Sequence, residues 1–294
     1  MIGVLTKNAR SWCSSKIIEA LEDRGVSVLA FSFSQVVARV GFPNTPALEV
    51  RGFDLSKLGS LLVRPIGPGS IDEIFFRMDM LHRLERLGVP VVNKPSAIEK
   101  AVDKYYALTI LEEAGLQIPK TVVTESSSQA FEAFPKLGGD VVVKPVFGSR
   151  GLGVTRVSEQ EVAGRVFRML SYHHFVLYEQ EFIRHRGSDI RCFVIGGRVV
   201  ASMRRLAEQG WKTNISRGGK PIPFKADSQI ENTAIKAAEA LGCEIAGVDL
   251  METADGEIYV HEVNSQPGFR GLQTSSGVDI AGLIAEYLIR KAKR

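Results

Sequence analysis

The chain has 294 residues, 45% of them hydrophobic and 24% charged, so it can bury a sizeable core and has the composition of an ordinary soluble protein. Lysine plus arginine number 37 against 33 aspartate plus glutamate, a net charge of +4 spread along the whole length, which argues against a dedicated nucleic-acid surface. Cys13, Cys192 and Cys243 lie far apart with no CxxC pair, which argues against a disulfide framework or a zinc site.

The opening MIGVLTKNAR reads as a buried strand rather than a charged leader, and no window approaches the roughly 18 apolar residues of a membrane span. A soluble, cytoplasmic protein is the expectation. After the strand IGVLT, the segment SSKIIEALEDRG places apolar residues at helical spacing; VSVLAF, SLLVRP, the helical IDEIFFRMDMLHRLERLG and VPVVN follow. Strands alternating with helices imply a parallel, doubly wound sheet. Between Ala38 and Gly52 two prolines and several turn formers predict an excursion from that sheet, a small hairpin.

A second unit starts near Ser96 with the helix DKYYALTILEEAG, the strand KTVVTE, a short helix after Ser126 to Ser128 and the strand DVVVKP. From about Phe175 strands dominate: FVLYEQEFI, DIRCFVIGG, RVVASMRRL after a turn at Gly196 and Gly197, EIAGVDLME and EIYVHEVN. A helix over 229–241 interrupts them and another over 279–291 closes the chain, its basic end from Lys291 to Arg294 complementing the helix dipole. The succession predicts a largely antiparallel sheet forming one wall of a cleft, with units over 1–95, 96–180 and 181–294.

Two segments carry chemistry. In VVVKPVFGSRGLGV a lysine ends a buried strand and Gly148, Gly151 and Gly153 follow; such glycines let backbone N–H groups wrap an anion while Lys144 supplies a point charge. The plain alternative is a hairpin loop with a solvated lysine. In VDLME and HEVNSQPG, Asp249 occupies one strand, and Glu262 and Asn264 lie two apart in the next and so share a face. Three oxygen-bearing side chains on adjacent strands suit Mg²⁺. A solvent-facing polar edge is disfavoured, because Asp249 and Glu262 stand among Ala246, Val248, Leu250, Val260 and Val263, where an unpaired carboxylate is costly. The same alternation turns His261 away from the metal face.

These segments, with EQEFI and SDIRCFVIGG between them, resemble ATP-grasp carboxylate-amine ligases of the RimK-type α-L-glutamate ligase family, along almost the whole chain and in the family's motif order. The resemblance implies an α/β (α+β ATP-grasp) fold: an N-terminal parallel-sheet pre-ATP-grasp domain, then two ATP-grasp subdomains enclosing the nucleotide cleft. It implies that Lys104 and Lys144 contact phosphate and the adenine edge, and that Gly148, Ser149, Arg150, Gly151 and Gly153 form the glycine-rich lid. Glu181, Phe182 and Ile183 would be the adenine hinge, with Glu181 and Phe182 meeting the base through side-chain and backbone hydrogen bonds. Asp189 would face the ribose or a nearby lysine. Lys212, Thr213 and Asn214 match a nucleotide-contacting turn, with Lys212 where relatives often carry a bidentate arginine. Arg191, on the face of Asp189, would stand near the γ-phosphate. Of the consecutive Arg204 and Arg205 only one can enter the cleft, and Arg205 is the expected one. Asp249, Glu262 and Asn264 would hold two Mg²⁺ ions, with Mn²⁺ as a substitute.

The implied reaction is attack of an acceptor carboxylate on the γ-phosphorus of ATP, then attack of the amine of L-glutamate on the acyl phosphate, with no histidine nucleophile. The stretches VRPIGPGSIDEIFFRMDMLHRLE, GWKTNISRGG and EVNSQPGFRGL are most similar to archaeal ligases that glutamylate a tetrahydromethanopterin-type coenzyme. Arg64, Arg77, Arg217 and Arg270 are then candidates for holding anionic substrate groups. The alternatives are glutamylation of a ribosomal protein C-terminus, a deazaflavin coenzyme or an amino-group carrier protein, and, in another class, a non-catalytic ATP-binding scaffold. No nucleic-acid or membrane partner is expected, and relatives imply a homodimer or tetramer.

Overall fold

The computed structural model describes residues 1–148, 152–185, 187–208, 210–211, 213 and 218–292. Its first layer contains β1 (Ile2–Leu5), α1 (Trp12–Glu22), β2 (Val28–Phe31), β3 (Val36–Ala38), β4 (Leu48–Val50), β5 (Phe53–Asp54), β6 (Ser60–Val63), α2 (Ile71–Arg86) and β7 (Val91–Val92). β2, β1, β6 and β7 pair in that order, all parallel, because each connection crosses over rather than turning back. The segment over 38–52 forms an antiparallel side sheet, β3-β4-β5, as its turn formers require. α2 begins with a capping box between Ser70 and Glu73, carries Asp72 and Glu73 in its first turn and Arg83 and Arg86 in its last, and buries Met78, Leu81 and Leu84.

The second layer contains α3 (Pro95–Val102), α4 (Lys104–Glu113), β8 (Thr121–Thr124), α5 (Ser127–Lys136), β9 (Val141–Lys144), β10 (Thr155–Val157), α6 (Gln160–Tyr172) and β11 (Leu177–Glu181). Its antiparallel sheet has the order β10-β9-β11-β8. One face is covered by α5 and α6, whose Phe134, Ala163 and Phe167 pack on Val141, Val143 and Leu177. The sequence reading passes over α6, although Ala163 and Phe167 stand four residues apart on its buried face.

The third layer contains β12 (Ser188–Ile195), β13 (Arg198–Leu206), β14 (Lys220–Pro223), α7 (Ser228–Ala240), β15 (Ile245–Glu252), β16 (Ile258–Asn264), α8 (Arg270–Ser276) and α9 (Ile280–Lys291). Its strands pair antiparallel in the order β14-β13-β12-β15-β16. α7 buries Ile230, Ala234, Ala237 and Ala238 in the core with Cys192, Val194 and Val248, while α9 packs Ile284 and Leu288 into a different core that also takes Ile2, Val4 and Leu62. The parallel sheet and the antiparallel sheet therefore share a core. Asn93 pins the joint: its Nδ2 donates to the Ile245 carbonyl (2.7 Å) and its Oδ1 accepts from the amides of Glu244 (2.7 Å) and Ile245 (2.8 Å). Among the described residues no helix is long and apolar enough to cross a membrane.

One irregularity matters for the site. Asp249 faces Glu262 across β15 and β16, but Leu250 faces Val260, so His261 is an extra residue in β16, a β-bulge.

Candidate active site

A cleft open to solvent lies between the small sheet and the antiparallel sheet, lined from one side by Lys104 and Lys144 and from the other by Asp249 and Glu262. α4 and β9 supply its cations. Asp103 caps α4 by accepting from the amides of Tyr105 (2.9 Å) and Tyr106 (3.0 Å), which fixes Lys104 at the first helical position. The Lys104 ammonium donates to the carbonyls of Gly148 (2.8 Å) and Val146 (3.2 Å), at the entrance to the glycine-rich turn. Lys144, buried at the end of β9, donates to Gln180 Oε1 at 2.6 Å, and Gln180 Nε2 donates to Thr121 (2.8 Å). Burial lowers the pKa of both lysines; for Lys144, nearby Lys104 adds to the effect, Glu262 opposes it, and the result is about 7. Gly153 has the left-handed φ of 71° that favours glycine. Ser149, Arg150 and Gly151 lie outside the described residues, as do Lys212, Asn214 and Arg217.

The segment Glu181 to Ile183 lines the cleft, but most of the contacts expected of its first two residues are spent elsewhere. Glu181 Oε1 accepts from the Lys120 amide (2.7 Å), the Phe182 N–H donates to Asp140 (2.9 Å), and the Phe182 ring carries the Arg156 guanidinium 3.6 Å from its centroid. Among the described residues the Ile183 N–H makes no hydrogen bond.

The acids and arginines of the antiparallel sheet form a chain of ion pairs. Asp189, expected opposite a ribose or a lysine, meets Arg205 instead: Nε donates to Oδ1 at 2.7 Å, Nη2 closes a second bond, and Thr213 donates to Oδ2 at 2.6 Å. Asp189 and Arg205 are opposite in the β12–β13 register, which is why an arginine and not a lysine is its partner. Arg205 also reaches Asp249 (3.0 Å), and Arg191 holds Asp249 by two bonds. Burial works against Arg205, but Asp249 and Asp189 outweigh it and its pKa is raised; burial likewise works against Asp249, but Arg191 and Arg205 outweigh it and hold the carboxyl below its usual range. Arg204 points the other way, to Glu252 (2.7 Å) and the Phe224 ring.

Glu262 lines the cleft, and its carboxylate makes no hydrogen bond among the described residues. Burial, then repulsion from Asp249, raise its pKa against the pull of Lys104, Arg191 and Lys144. Asn264 donates through Nδ2 to Gly247 (3.4 Å), which leaves its Oδ1 free of hydrogen bonds among the described residues. No group of three His, Cys, Asp or Glu side chains among the described residues makes a metal cluster. An unpartnered carboxylate at Glu262, an amide oxygen at Asn264 and the remaining lone pair of Asp249 nonetheless fit a hard cation that keeps several waters and takes phosphate oxygens.

His261 corrects the sequence reading. Strict alternation turns it away, but the bulge breaks the period of two and its ring lines the cleft beside Glu262. Its Nδ1 is buried without a partner among the described residues, and burial followed by the nearness of Lys144 holds its pKa well below 6.5. Gln180, the partner of Lys144, was also missed; its signal was period-two spacing with Tyr178 on the cleft face of β11. Of the four arginines considered for substrate anions, Arg77 is committed to Pro68 (3.1 Å) and Glu73 (3.0 Å), Arg270 is exposed over Trp12, and Arg64 is buried.

A family model described as the RimK-like ATP-grasp domain matches residues 101–288, and one described as the RimK PreATP-grasp domain matches residues 1–98. The chain belongs to the RimK-like ATP-grasp family. RimK-like members are ATP-dependent carboxylate-amine ligases, and this chain is an enzyme of that class. It is 32% identical to the tetrahydromethanopterin:alpha-L-glutamate ligase of Methanosarcina acetivorans over 98% of this chain and 98% of that protein. It is 33% identical to a Methanococcoides burtonii protein named "Probable alpha-L-glutamate ligase", over 99% and 96%. In fold it superposes on the ATP-grasp ligase PsnB complexed with a phosphomimetic variant of its minimal precursor, Mg and ADP, with a TM-score of 0.78, 23% identity and 99% and 98% coverage. The RimK-like cleft thus joins the lysines of one ATP-grasp layer to the acids of the other.

Proposed function

We propose that the protein adds L-glutamate to the carboxylate tail of a tetrahydromethanopterin-type coenzyme. The observation that carries this reading is one cleft holding Lys104 and Lys144 opposite Asp249 and Glu262, in a chain similar end to end to a ligase of that specificity.

In the proposed reaction the acceptor carboxylate attacks the γ-phosphorus of ATP, ADP leaves, and the glutamate amine then displaces phosphate from the acyl phosphate. Phosphoryl transfer asks the protein mainly for positioning and for charge around the phosphates. Lys104 and Lys144 supply cations on one wall, and the backbone at Glu181 to Ile183 holds the base. Arg205 and Arg191, each fixed by carboxylates, keep two guanidinium groups beside the acids and bias the site towards anionic transition states. Asp249, Glu262 and Asn264 would hold two Mg²⁺ ions, which when bound neutralise the β- and γ-phosphates.

The test is mass spectrometry after incubating the protein with ATP, Mg²⁺, isotopically labelled glutamate and a host extract separated into small-molecule and protein fractions. Label on a pterin-like small molecule is expected. Label on a protein tail transfers the function to protein glutamylation, and uptake in neither fraction removes the glutamate assignment.

A further inference from the structure

The parallel sheet has its topological switch point between β1 and β6, since the chain leaves β1 towards β2 on one side and returns on the other. Ligands of such sheets bind outside the carboxyl ends of the strands at that point. Arg64 stands there, immediately after β6, its N–H donating to Leu5 at the end of β1 (2.9 Å). Its side chain is 6% exposed and has one hydrogen bond, from Nη1 to the Pro267 carbonyl (3.0 Å). Among the described residues Nε is buried without an acceptor, Nη2 has none, and no carboxylate lies within ion-pair distance. A buried guanidinium whose charge meets no carboxylate is costly.

A second orphan lies beside it. Gln266 accepts through Oε1 from the Ile66 amide (3.3 Å), while its Nε2 is buried with no acceptor among the described residues. The segments around Arg64 to Ile66 and Gln266 to Pro267 are thus held together and carry two unsatisfied donors. Lys7 lies along the same rim, its Cδ 3.7 Å from where a Cβ on Gly67 would stand. Pro267 separates this place from the reaction centre by a single residue: a Cβ on Gly247 would stand 2.6 Å from Arg191 Nη1 and 2.9 Å from Pro267 Cβ.

We infer that Arg64 and Gln266 form a carboxylate-binding subsite, in which the free Nε–Nη2 edge of Arg64 takes a substrate carboxylate side-on and Gln266 Nε2 donates to the same group. The side-on geometry is the one guanidinium groups use for carboxylates. Both substrates of the proposed ligation carry carboxylates, so the inference rests on that reading for the source of the anion but on the two orphaned donors for its chemistry.

The test is isothermal titration of the protein, held with Mg²⁺ and a non-hydrolysable ATP analogue, with L-glutamate and separately with N-acetyl-L-glutamate, whose blocked amine leaves it only acceptor-like. Arg64→Gln and Gln266→Met should each weaken at least one probe about 10- to 100-fold, as loss of a charge-assisted hydrogen bond does, with affinity for the ATP analogue unchanged. Arg64→Lys should fall between. Loss confined to L-glutamate assigns the subsite to the incoming amino acid, and loss extending to N-acetyl-L-glutamate assigns it to the acceptor. Equal binding of both probes by native and variant proteins, or no binding of either probe to the native protein, overturns it. Should Arg64→Gln not fold, Gln266→Met leaves the guanidinium in place and carries the same comparison. Failure of the ligase reading is separate, since absent glutamate incorporation would leave the carboxylate-binding result standing.

Discussion

Arg191 and Asp249 stand opposite one another in the register of β12 and β15, and the guanidinium meets the carboxylate through two parallel bonds, with Nη2 2.8 Å from Oδ2. Arg205 takes Oδ1 from the next strand out. Asp249→Asn strips Arg191 of its counter-charge and leaves Arg205 with Asp189 alone. We expect a loss of about 3–5 kcal/mol in a urea titration, as when one partner of a buried pair is removed, together with loss of turnover. Unchanged stability would show that the pairs contribute nothing to the fold.

Glu262 differs from its neighbour in that its carboxylate has no partner among the described residues, so its replacement separates chemistry from stability. Its pKa is already raised by burial and by Asp249, and Glu262→Gln should leave the melting temperature equal or higher while ATP-dependent ADP release falls at least about 100-fold. Removing Mg²⁺ from the native protein with a chelator should have the same effect on rate. A variant that turns over at the native rate rules Glu262 out as a metal ligand.

Lys144 titrates at about 7, so nucleotide binding should depend on pH. Triphosphate favours the protonated lysine, and above pH 7 the free protein must take up a proton to bind. Affinity for ATP should therefore fall as pH rises from about 7 to 8, approaching tenfold per pH unit. Titrations in buffers of different ionisation heat should detect the uptake, and Lys144→Gln should bind weakly without this dependence. The same pH slope in the variant would locate the titrating group elsewhere.

Glu179 is fully buried in β11 opposite Val122 and Val143, with neither carboxylate oxygen hydrogen-bonded among the described residues, and burial raises its pKa from 4.5 to about 7. The folded protein holds this proton more tightly than the unfolded chain, so its contribution to stability is whole below about pH 4.5 and is lost as pH rises to about 7. The loss is at most about 3 kcal/mol. Glu179→Leu should raise the melting temperature, and the gain should grow with pH across that window. A gain independent of pH would mean the carboxyl does not titrate there.

Much of the architecture was legible in order and type. Period-two and helical spacing mark the parallel strands, α2, α7, α9 and the long strands of the antiparallel sheet, and the apolar surroundings of Asp249 and Glu262 already demand a partner or a cation for each. These are properties of a local stretch of chain, so the sequence by itself determines them. What only the tertiary structure decided is who meets whom. That Asp249 pairs with Arg191 and Arg205, that Asp189 takes Arg205, and that Arg204 turns outward follow from the register between strands distant in sequence. His261 shows the limit most directly: a bulge is created by two strands pairing, so no periodicity within β16 can reveal the residue that breaks it. Asn93 and the orphaned donors of Arg64 and Gln266 likewise acquire their meaning only where the N-terminal sheet meets the C-terminal one, because a hydrogen bond across that joint depends on the packing of both.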